Sequence, residues 1–339
     1  GRYPIYGSGG VIGYADDYIC EADTIIIGRK GSINNPIYVS EPFWNVDTAF
    51  GLSVKKDFVL PKYLYYFCKK FDFGKLNKTV TIPSLTKSDL LKIKINVPVK
   101  EEQQAIIDKL MKIESIMAFR KIELDYLDVL IKARFVEMFG DPITNPKEWK
   151  MVELGKLTTI GSSKRIFEKE YVSEGIPFYR TKEIVELSKG NSISTELFIT
   201  KERFFEIKDK YGVPKKGDLL VSAVGTIGVI WIVDGSNDFY FKDGNLIRVD
   251  ASEKFDSVYM KNLLENLIDD YKKQMSTGTT YNALTISGLT KLKVYDVPIE
   301  LQNLFSEFVN QVYKSKVTVQ KALEETQILF DSLMQKYFG

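Results

Sequence analysis

The sequence predicts an α+β protein in which two α/β modules are separated by two long helices that form an antiparallel coiled coil. Three observations lead to this fold class. The chain repeats itself once, at a spacing of 199 residues over its longest matching stretch. Each repeat ends in a long segment whose apolar residues recur in alternating steps of four and three. Each of these segments follows a β-rich region that is broken by glycine turns.

The two long helices are predicted from apolar seams that share one register. The first helix should run from about Glu101 to Phe139, and the second from about Glu300 to Phe338. Every seam position of the first helix has a counterpart 199 residues later. The seams consist of Ile106, Leu110, Ile113, Met117, Arg120, Leu124, Leu127, Ile131, Arg134 and Met138, and of Phe305, Val309, Val312, Lys316, Val319, Leu323, Thr326, Phe330, Leu333 and Tyr337.

Helices of this length, about 55–60 Å at 1.5 Å per residue, cannot be covered by a globular core. A heptad seam also needs a partner, and the nearest partner is the other helix of the same chain. The alternative is two separate surface helices, each packed on its own module. The shared register favours the pair.

The segments in front of the helices also repeat. Each module shows a β-rich run with a glycine turn, and then a short helix, a strand and a proline before its long helix. The matched pairs are Tyr3–Ser8 with Ile176–Thr181, Asp23–Ile33 with Asp218–Gly228, Phe43–Asp47 with Phe239–Asp243, and Ser84–Val99 with Ala283–Ile299.

The two modules differ at the front. The second opens with Trp149–Lys164, which has no counterpart ahead of Tyr3, and the chain begins with Gly1 rather than Met. We therefore expect the first module to be trimmed by roughly 25–30 residues relative to its repeat. The expected boundaries are residues 1–99 for the first module, 100–139 for its helix, 140–148 for a linker, 149–298 for the second module and 299–339 for its helix.

Composition argues against most catalytic sites. The chain has no histidine, which removes the commonest general base and metal ligand. Its two cysteines, Cys20 and Cys68, are too few for a zinc site and form no disulfide framework, so we expect a cytoplasmic protein without cofactor or metal. Net charge is only +2, so any basic surface must be local. The apolar stretch Leu219–Val233 is interrupted by glycines and predicts two buried strands around a turn, not a membrane span.

Two short motifs resemble catalytic motifs, but each lacks other residues that the catalytic motif requires. The NPIY sequence (Asn35–Tyr38) resembles a methyltransferase loop, but it lacks the second proline and no cofactor-binding loop precedes it. The EWK sequence (Glu148–Lys150) has a nuclease-like spacing without its partner aspartate. We expect no catalytic residue in this chain.

Polar loops are the remaining candidates for a binding site. Gly28–Ser32 places an arginine and a lysine between glycines at a strand end, which suits phosphates or the guanine edge. Asn77–Ser84 and Ser276–Asn282 are rich in hydroxyls and amides and precede the repeated short helix. Each could be an ordinary solvated turn, but their repetition at matching places favours a binding role.

This arrangement resembles the specificity subunits of type I restriction–modification systems. The resemblance covers nearly the whole chain, and it depends on several motifs together rather than on any one of them. These motifs are YPIYGSGGVIGYADDY (Tyr3–Tyr18), IIIGRKGSI (Ile25–Ile33), PFWNVDTAF (Pro42–Phe50), IPSLTKSDLLKIKINVPVKEEQQAI (Ile82–Ile106) and ARFVEMFGDP (Ala133–Pro142).

The resemblance implies that each module is a target-recognition domain for one half of a split double-stranded DNA target. It implies that the paired helices set the gap between the halves and dock two modification (methyltransferase) subunits, with restriction subunits joining the larger complex. The chain itself would not be an enzyme, and it would not associate with a membrane. The missing front of the first module puts the completeness of that domain in question.

On this interpretation we expect DNA contacts from the polar loops and from the paired strand ends. The candidates are Tyr6, Ser8, Arg29, Lys30, Ser32, Lys78, Thr79, Thr81, Ser84, Tyr179, Arg180, Ser222, Thr226, Ser276, Thr277, Thr279, Thr280, Tyr281 and Asn282. Two alternatives stay open at this point: a specificity subunit serving a fused nuclease–methyltransferase, and a coiled-coil scaffold that does not bind DNA. The amino-acid sequence does not specify the DNA target sequence or the length of the gap between its two halves.

Overall fold

In a computed structural model, which describes residues 1–79, 81–275 and 283–339, the chain divides into two compact units. Unit 1 comprises Gly1–Leu124 and Val317–Gly339, and unit 2 comprises Asp125–Lys316. Each unit therefore contains one α/β module together with part of each long helix.

Unit 1 holds two three-stranded sheets, with strand orders β2-β1-β5 and β4-β3-β6. Its strands are β1 (Tyr3–Gly7), β2 (Gly10–Ala15), β3 (Thr24–Gly28), β4 (Ile37–Val39), β5 (Trp44–Asn45) and β6 (Ala49–Leu52). They are followed by helices α1 (Pro61–Lys70), α2 (Lys87–Leu90) and α3 (Lys100–Phe139), with a 3-10 turn at Phe73–Leu76.

Unit 2 holds sheets with strand orders β12-β11-β14-β8, β10-β9-β13 and β15-β7. Its strands are β7 (Met151–Glu153), β8 (Ile160–Gly161), β9 (Ile176–Tyr179), β10 (Phe198–Ile199), β11 (Leu219–Ser222), β12 (Ile230–Ile232), β13 (Tyr240–Phe241), β14 (Leu246–Val249) and β15 (Lys293–Tyr295). Its helices are α4 (Thr181–Ser188), α5 (Lys201–Tyr211), α6 (Ser257–Met275), α7 (Ile286–Lys291) and α8 (Ile299–Phe338), with 3-10 turns at Leu154–Lys156 and Glu168–Glu170.

The strand pairings follow the internal repeat. In unit 1, β1 pairs in parallel with β5, and in unit 2, β9 pairs in parallel with β13. The central strands also correspond, since β3 lies between two antiparallel neighbours and so does β11. The prediction of two buried strands around a turn in Leu219–Val233 is confirmed by β11 and β12.

The predicted long helices are confirmed, because α3 and α8 begin and end within one residue of the expected positions. All twenty seam positions are buried or half-buried, including the cationic ones. Lys316 reaches Asp128 of α3 with its ammonium group, at 2.5 Å. A cation on the seam can therefore be accommodated as an ion pair between the helices.

The two helices pack antiparallel within each unit. In unit 1, Leu110 and Ile113 near the start of α3 share a buried cluster with Phe330 and Met334 near the end of α8. In unit 2, the end of α3 packs on the start of α8, with the rings of Phe135 and Phe305 5.5 Å apart and edge-on.

Gln103 and Gln302 are buried at equivalent places, and the sequence analysis missed both. The Gln103 amide donates to the carbonyls of Phe58 and Pro98, both at 2.8 Å. The Gln302 amide likewise donates to the carbonyl of Val297 at 2.8 Å. Each glutamine satisfies backbone groups at the point where the module joins its long helix, which accounts for a buried polar side chain there.

The strand predicted within Ser84–Val99 is wrong. Its counterpart in unit 2 forms β15, which pairs with β7 over three residues. No residue from Leu91 to Val99 is in a strand, and no described residue pairs with this segment. A strand is stabilised by its neighbour rather than by its own sequence, so the same pattern folds differently where that neighbour is absent.

Both cysteines are free thiols, and burial raises the pKa of Cys68 to about 12. Over the described ranges, none of the helices is long and apolar enough to cross a membrane.

The pairing of the helices can be tested at Phe305 and Leu304, two adjacent residues of α8, of which one is buried and the other exposed. Phe305 is fully buried against α3, whereas Leu304 is 58% exposed. We expect Phe305→Ala to lower the free energy of unfolding by about 3–5 kcal/mol, because it leaves a cavity between the helices. Leu304→Ala should change it by less than about 0.5 kcal/mol. Urea denaturation followed by circular dichroism measures both, and equal effects would contradict the pairing.

Candidate nucleic-acid interface

The loop carrying Arg29 and Lys30 begins where β3 ends. All five residues of β3 are buried, whereas both cations are exposed. The loop backbone is fixed on two sides: the Arg29 amide donates to the carbonyl of Thr48 at 2.8 Å, and the Leu85 amide donates to the carbonyl of Arg29 at 2.9 Å. The cations are therefore presented by an anchored turn rather than by a free one.

The two predicted loops of unit 1 lie side by side. Lys30 and Ser84 form an isolated β-bridge, and the Gly31 amide donates to the carbonyl of Pro83 at 3.0 Å. The structure thus brings together candidates that are more than fifty positions apart in the sequence.

The absence of a side chain at Gly28 allows Ser32 and Ser8 to lie close to its backbone. A Cβ atom at Gly28 would lie 2.4 Å from the carbonyl oxygen of Ser32 and 3.1 Å from the Cβ of Ser8. Any side chain would push these neighbours apart. The contact places Ser8 and Ser32 beside the base of the Arg29–Lys30 turn.

Arg29 and Lys30 have different surroundings. The Arg29 guanidinium donates to the carbonyl of Asp47 at 3.4 Å and lies over the ring of Phe50, 5.8 Å from its centre. No contact of the Lys30 side chain with an acidic group is found in the described part of the chain. The fold therefore contacts the Arg29 side chain directly, whereas the Lys30 side chain extends from the turn with its charge exposed.

The second loop is organised by Asn77. Its carboxamide oxygen accepts from the amides of Thr79 at 3.1 Å and Ser84 at 3.0 Å. Lys78 is exposed but pairs with Asp89 at 3.0 Å. Hydrogen bonds from Lys78 and Thr86 hold the pKa of the Asp89 carboxyl below its usual value.

Thr79 and Thr81 are exposed on the same loop. The Thr79 hydroxyl is used within the loop, bonded to Asn77 and to the carbonyl of Ile82. Thr81 has its side chain in solvent, so it is the freer of the two for an outside partner.

A cleft of about 470 Å³ adjoins the two loops and is lined by Ser32, Asn34, Asn35 and Asn77, among others. Asn34 is held by Asp72 and by the backbone amide of Phe73, at 3.0 and 2.7 Å. Hydroxyls, amides and neighbouring cations form a surface that can donate to phosphates and to base edges. The three asparagines were missed as candidates, although the Asn34–Asn35 pair directly after the basic turn was a visible signal.

Unit 2 repeats this loop framework with different residues. The Leu284 amide donates to the carbonyl of Ala223 at 3.0 Å, as Leu85 does to Arg29 in unit 1. Gly225, with φ +75°, lies at the position of Gly31, with φ +79°. This corrects the sequence pairing of Asp23–Ile33 with Asp218–Gly228 by one residue in the turn, because that pairing places Thr226 opposite Gly31. The exposed positions of this turn in unit 2 are therefore Val224 and Thr226, without a cation.

Ser222 lies beneath this turn and is fully buried. Its hydroxyl accepts from the Val229 amide at 2.9 Å and donates to the carbonyl of Thr226. In the free chain, Ser222 shapes the turn and does not reach the surface, which corrects the expectation of a direct contact.

The paired strand ends hold the remaining aromatic and cationic candidates. Tyr179 is 7% exposed and stacks on Phe239 with ring centres 4.6 Å apart, so its ring supports the core. Arg180 follows directly and pairs with the buried Glu183 at 3.0 Å. In unit 1, Tyr6 is half-buried with its ring edge-on to Phe43.

The predicted contacts Ser276, Thr277, Thr279, Thr280, Tyr281 and Asn282 lie outside the described residues.

The comparisons with known proteins agree with this repeated architecture. A family model described as the type I restriction modification DNA specificity domain matches residues 1–126 and 146–327. The chain belongs to the type I restriction–modification DNA specificity family. The two matched stretches correspond to the two repeats, so the internal duplication is a duplication of this specificity domain.

Curated relatives carry the same description. The chain is 28% identical, over 312 residues, to a putative type I restriction enzyme specificity subunit of Haemophilus influenzae, covering 89% of this chain and 78% of the relative. It is 25% identical, over 339 residues, to the MjaIX type I restriction enzyme specificity subunit of Methanocaldococcus jannaschii, covering 91% and 74%.

Solved structures share the fold. An S subunit of a type I restriction–modification system from M. genitalium aligns with a TM-score of 0.59 at 18% identity, covering 100% of this chain and 89% of that one. A chain from a study of complex assembly and conformational transition of a type I system aligns with a TM-score of 0.63 at 17% identity, covering 94% and 82%.

Gly28→Ala tests whether the loop geometry depends on the missing side chain. The new Cβ would collide with the Ser32 carbonyl, so we expect a loss of about 1–3 kcal/mol in stability and faster amide exchange over residues 29–33. Gly9→Ala is the matched control, because a Cβ there meets nothing within 4 Å. Hydrogen–deuterium exchange and thermal unfolding of the two variants give the comparison. Equal exchange at Arg29–Ile33 in both would show that the close approach is unimportant.

Proposed function

We propose that the chain reads a bipartite double-stranded DNA target, one half with each α/β module, and catalyses no reaction itself. In this proposal residues 1–99 and 149–298 are the recognition modules, while 100–139 and 299–339 are the docking helices, joined by the linker 140–148. The proposal places the protein in the cytoplasm as the specificity subunit of a type I complex.

The observation that carries the proposal is the repeated loop framework. Two backbone anchors of the turn recur, because Arg29 and Ala223 each bond a leucine amide, Leu85 or Leu284, through the carbonyl. At the exposed positions, Lys30 and Ser32 of unit 1 are replaced by Val224 and Thr226 in unit 2, and the position of Arg29 holds the buried Ala223. A constant scaffold with variable exposed residues is what two different half-targets require, because base discrimination depends on the few side chains that reach the groove.

We further propose that the helices dock two modification subunits, with restriction subunits joining the larger complex. Support comes from apolar residues that face away from the helix pair and recur at the repeat spacing. Val129 and Leu130 on α3 are 58% and 44% exposed, and Ile328 and Leu329 on α8 are 68% and 51% exposed. Exposed apolar pairs at equivalent places suit a partner that binds twice.

Arg29→Ala and Lys30→Ala test the DNA interface. If Lys30 contacts phosphate, its loss should weaken binding to cognate and scrambled duplexes alike and reduce the salt slope by about one unit. If Arg29 contacts a guanine, its loss should cost roughly 1–3 kcal/mol at one base position and relax specificity there. Fluorescence anisotropy at several salt concentrations, with the modification subunits present, separates these outcomes.

Lys55→Ala removes an exposed lysine outside both loops and serves as the control. If Arg29→Ala and Lys30→Ala bind as the parent does at every salt concentration, the loop is a solvated turn and the site assignment is wrong.

Substituting both Ile328 and Leu329 by serine tests the docking surface. Because the two side chains are exposed, the chain should remain folded while one modification subunit is lost from the complex. The same result is expected when Val129 and Leu130 are replaced. Native mass spectrometry of the assembled complex measures the number of bound subunits. Gln327→Ser, at an exposed neighbouring position, should keep both, and two bound subunits in all variants would refute this docking site.

A further inference from the structure

The cleft beside the basic turn of unit 1 is lined by three asparagines, and the fold uses the carboxamides of two of them. The Asn34 carboxamide donates to Asp72 at 3.0 Å and accepts from the amide of Phe73 at 2.7 Å. The Asn77 carboxamide donates to the carbonyl of Thr79 at 2.9 Å and accepts from the amide of the same residue at 3.1 Å. These two side chains build the walls of the cleft, because their donors and acceptors are already paired.

Asn35 is the third asparagine, and its carboxamide is unpaired. The side chain lines the same cleft and is exposed, and it makes no hydrogen bond with any residue that the structure describes. Its backbone is nevertheless restrained on both sides. Asn34 is fixed by its two hydrogen bonds, and the buried Pro36 restricts the residue before it to an extended conformation. A donor and an acceptor are therefore held side by side at a defined place, which lowers the entropy cost of binding a ligand through both.

The matching place in unit 2 is closed. By the register that the backbone anchors set for the two turns, Asn35 is matched by Val229, and Asn34 is matched by Gly228. A Cβ atom at Gly228 would lie 2.6 Å from the Cγ2 of Ile268 on α6. Within the described part of the chain, unit 2 therefore has an apolar side chain and a covering helix where unit 1 has a carboxamide and an open cleft. A residue that distinguishes one half-target from the other should differ between the units in this way.

The carboxamide of Asn35 matches the edge of one base in the major groove of duplex DNA. Adenine presents the acceptor N7 beside the donor N6 amine, and a carboxamide presents a donor beside an acceptor at the same spacing. Guanine presents two acceptors, so the carboxamide oxygen would face an oxygen. The exposed Lys30 and Ser32, on the adjoining turn, can donate to neighbouring phosphates. The surroundings of the carboxamide therefore suit a base in a duplex.

We propose that Asn35 is a specificity-determining residue that reads one adenine in the half-target of unit 1. Its carboxamide nitrogen donates to N7, and its oxygen accepts from the N6 amine. The inference rests on the proposed function, because it requires that unit 1 reads duplex DNA. It adds the residue that identifies a base, whereas Lys30 supplies charge that is indifferent to sequence.

Selection from a random duplex library tests the role of the residue. The full chain, assembled with modification subunits, should select a bipartite target with an adenine in one half. The Asn35→Ala complex should lose the preference for adenine at one position of that half and keep every other preference. Asn96→Ala removes an exposed asparagine of unit 1 outside the cleft, so this matched control should select the parent target. Equal midpoints of thermal unfolding establish that both variants fold as the parent does.

Base analogues test the geometry of the contact. In the selected duplex, the adenine is replaced by 7-deazaadenine, which lacks the N7 acceptor, or by purine, which lacks the N6 amine. Each analogue should weaken binding of the parent complex roughly tenfold, because one group of the pair is left unpaired. Neither should weaken binding of the Asn35→Ala complex further, because the partner of both groups is already absent. Fluorescence anisotropy measures the four affinities.

The outcomes separate this inference from the proposed function. If the parent selects a bipartite target and Asn35→Ala selects the same one, the proposed function stands and the role of Asn35 is wrong. The same conclusion follows if the analogues weaken the parent and variant complexes equally. A parent complex that selects no sequence from the library overturns both.

Discussion

The structure depends on the pairing of two long helices whose seams repeat at one spacing. Neither α3 nor α8 can be covered by its own module, because each is 40 residues long. In both units the partner helix completes the core. Phe330 and Met334 of α8 close the cluster that holds Tyr63 and Tyr66, and Phe305 of α8 packs with Phe135 of α3. Within each unit, the module thus packs on segments of both long helices.

The candidate binding turns combine backbone hydrogen bonds that recur in both units with exposed side chains that differ between them. Two backbone hydrogen bonds that anchor the candidate binding turns recur in both units: Arg29 bonds Thr48 and Leu85 in unit 1, and Ala223 bonds Asn245 and Leu284 in unit 2. A side chain at the tip of such a turn can change without disturbing the fold, since it contributes little to the core. Lys30 and Ser32 in one unit and Val224 and Thr226 in the other occupy such positions.

The two units are nevertheless not equivalent. Unit 1 carries the cations and the amide-lined cleft, whereas unit 2 carries the β7–β15 pair. The β7–β15 pairing matters because, of two segments with similar sequences, only the one that pairs with a neighbour forms a strand. The segment around Ile95 and the segment around Val294 share an alternating apolar pattern, but only the latter has a neighbour that supplies its hydrogen bonds.

The sequence by itself determined the long helices, the register of their seams, the repeated strands and the family. These features are periodic or duplicated along the chain, so they can be recognised in the amino-acid sequence without knowledge of which segments are in contact. The position of the basic turn after a buried strand was also predictable, because β3 is apolar and Gly28 ends it.

Tertiary structure alone decided the rest, since it brings together residues that are distant in sequence. Lys30 meets Ser84, and Arg29 lies over Phe50. No local pattern encodes such contacts, because each depends on where another segment of the chain is placed. The absence of a strand after α2 has the same cause: hydrogen bonding in a sheet is supplied by the neighbouring strand, which the sequence of that segment does not contain.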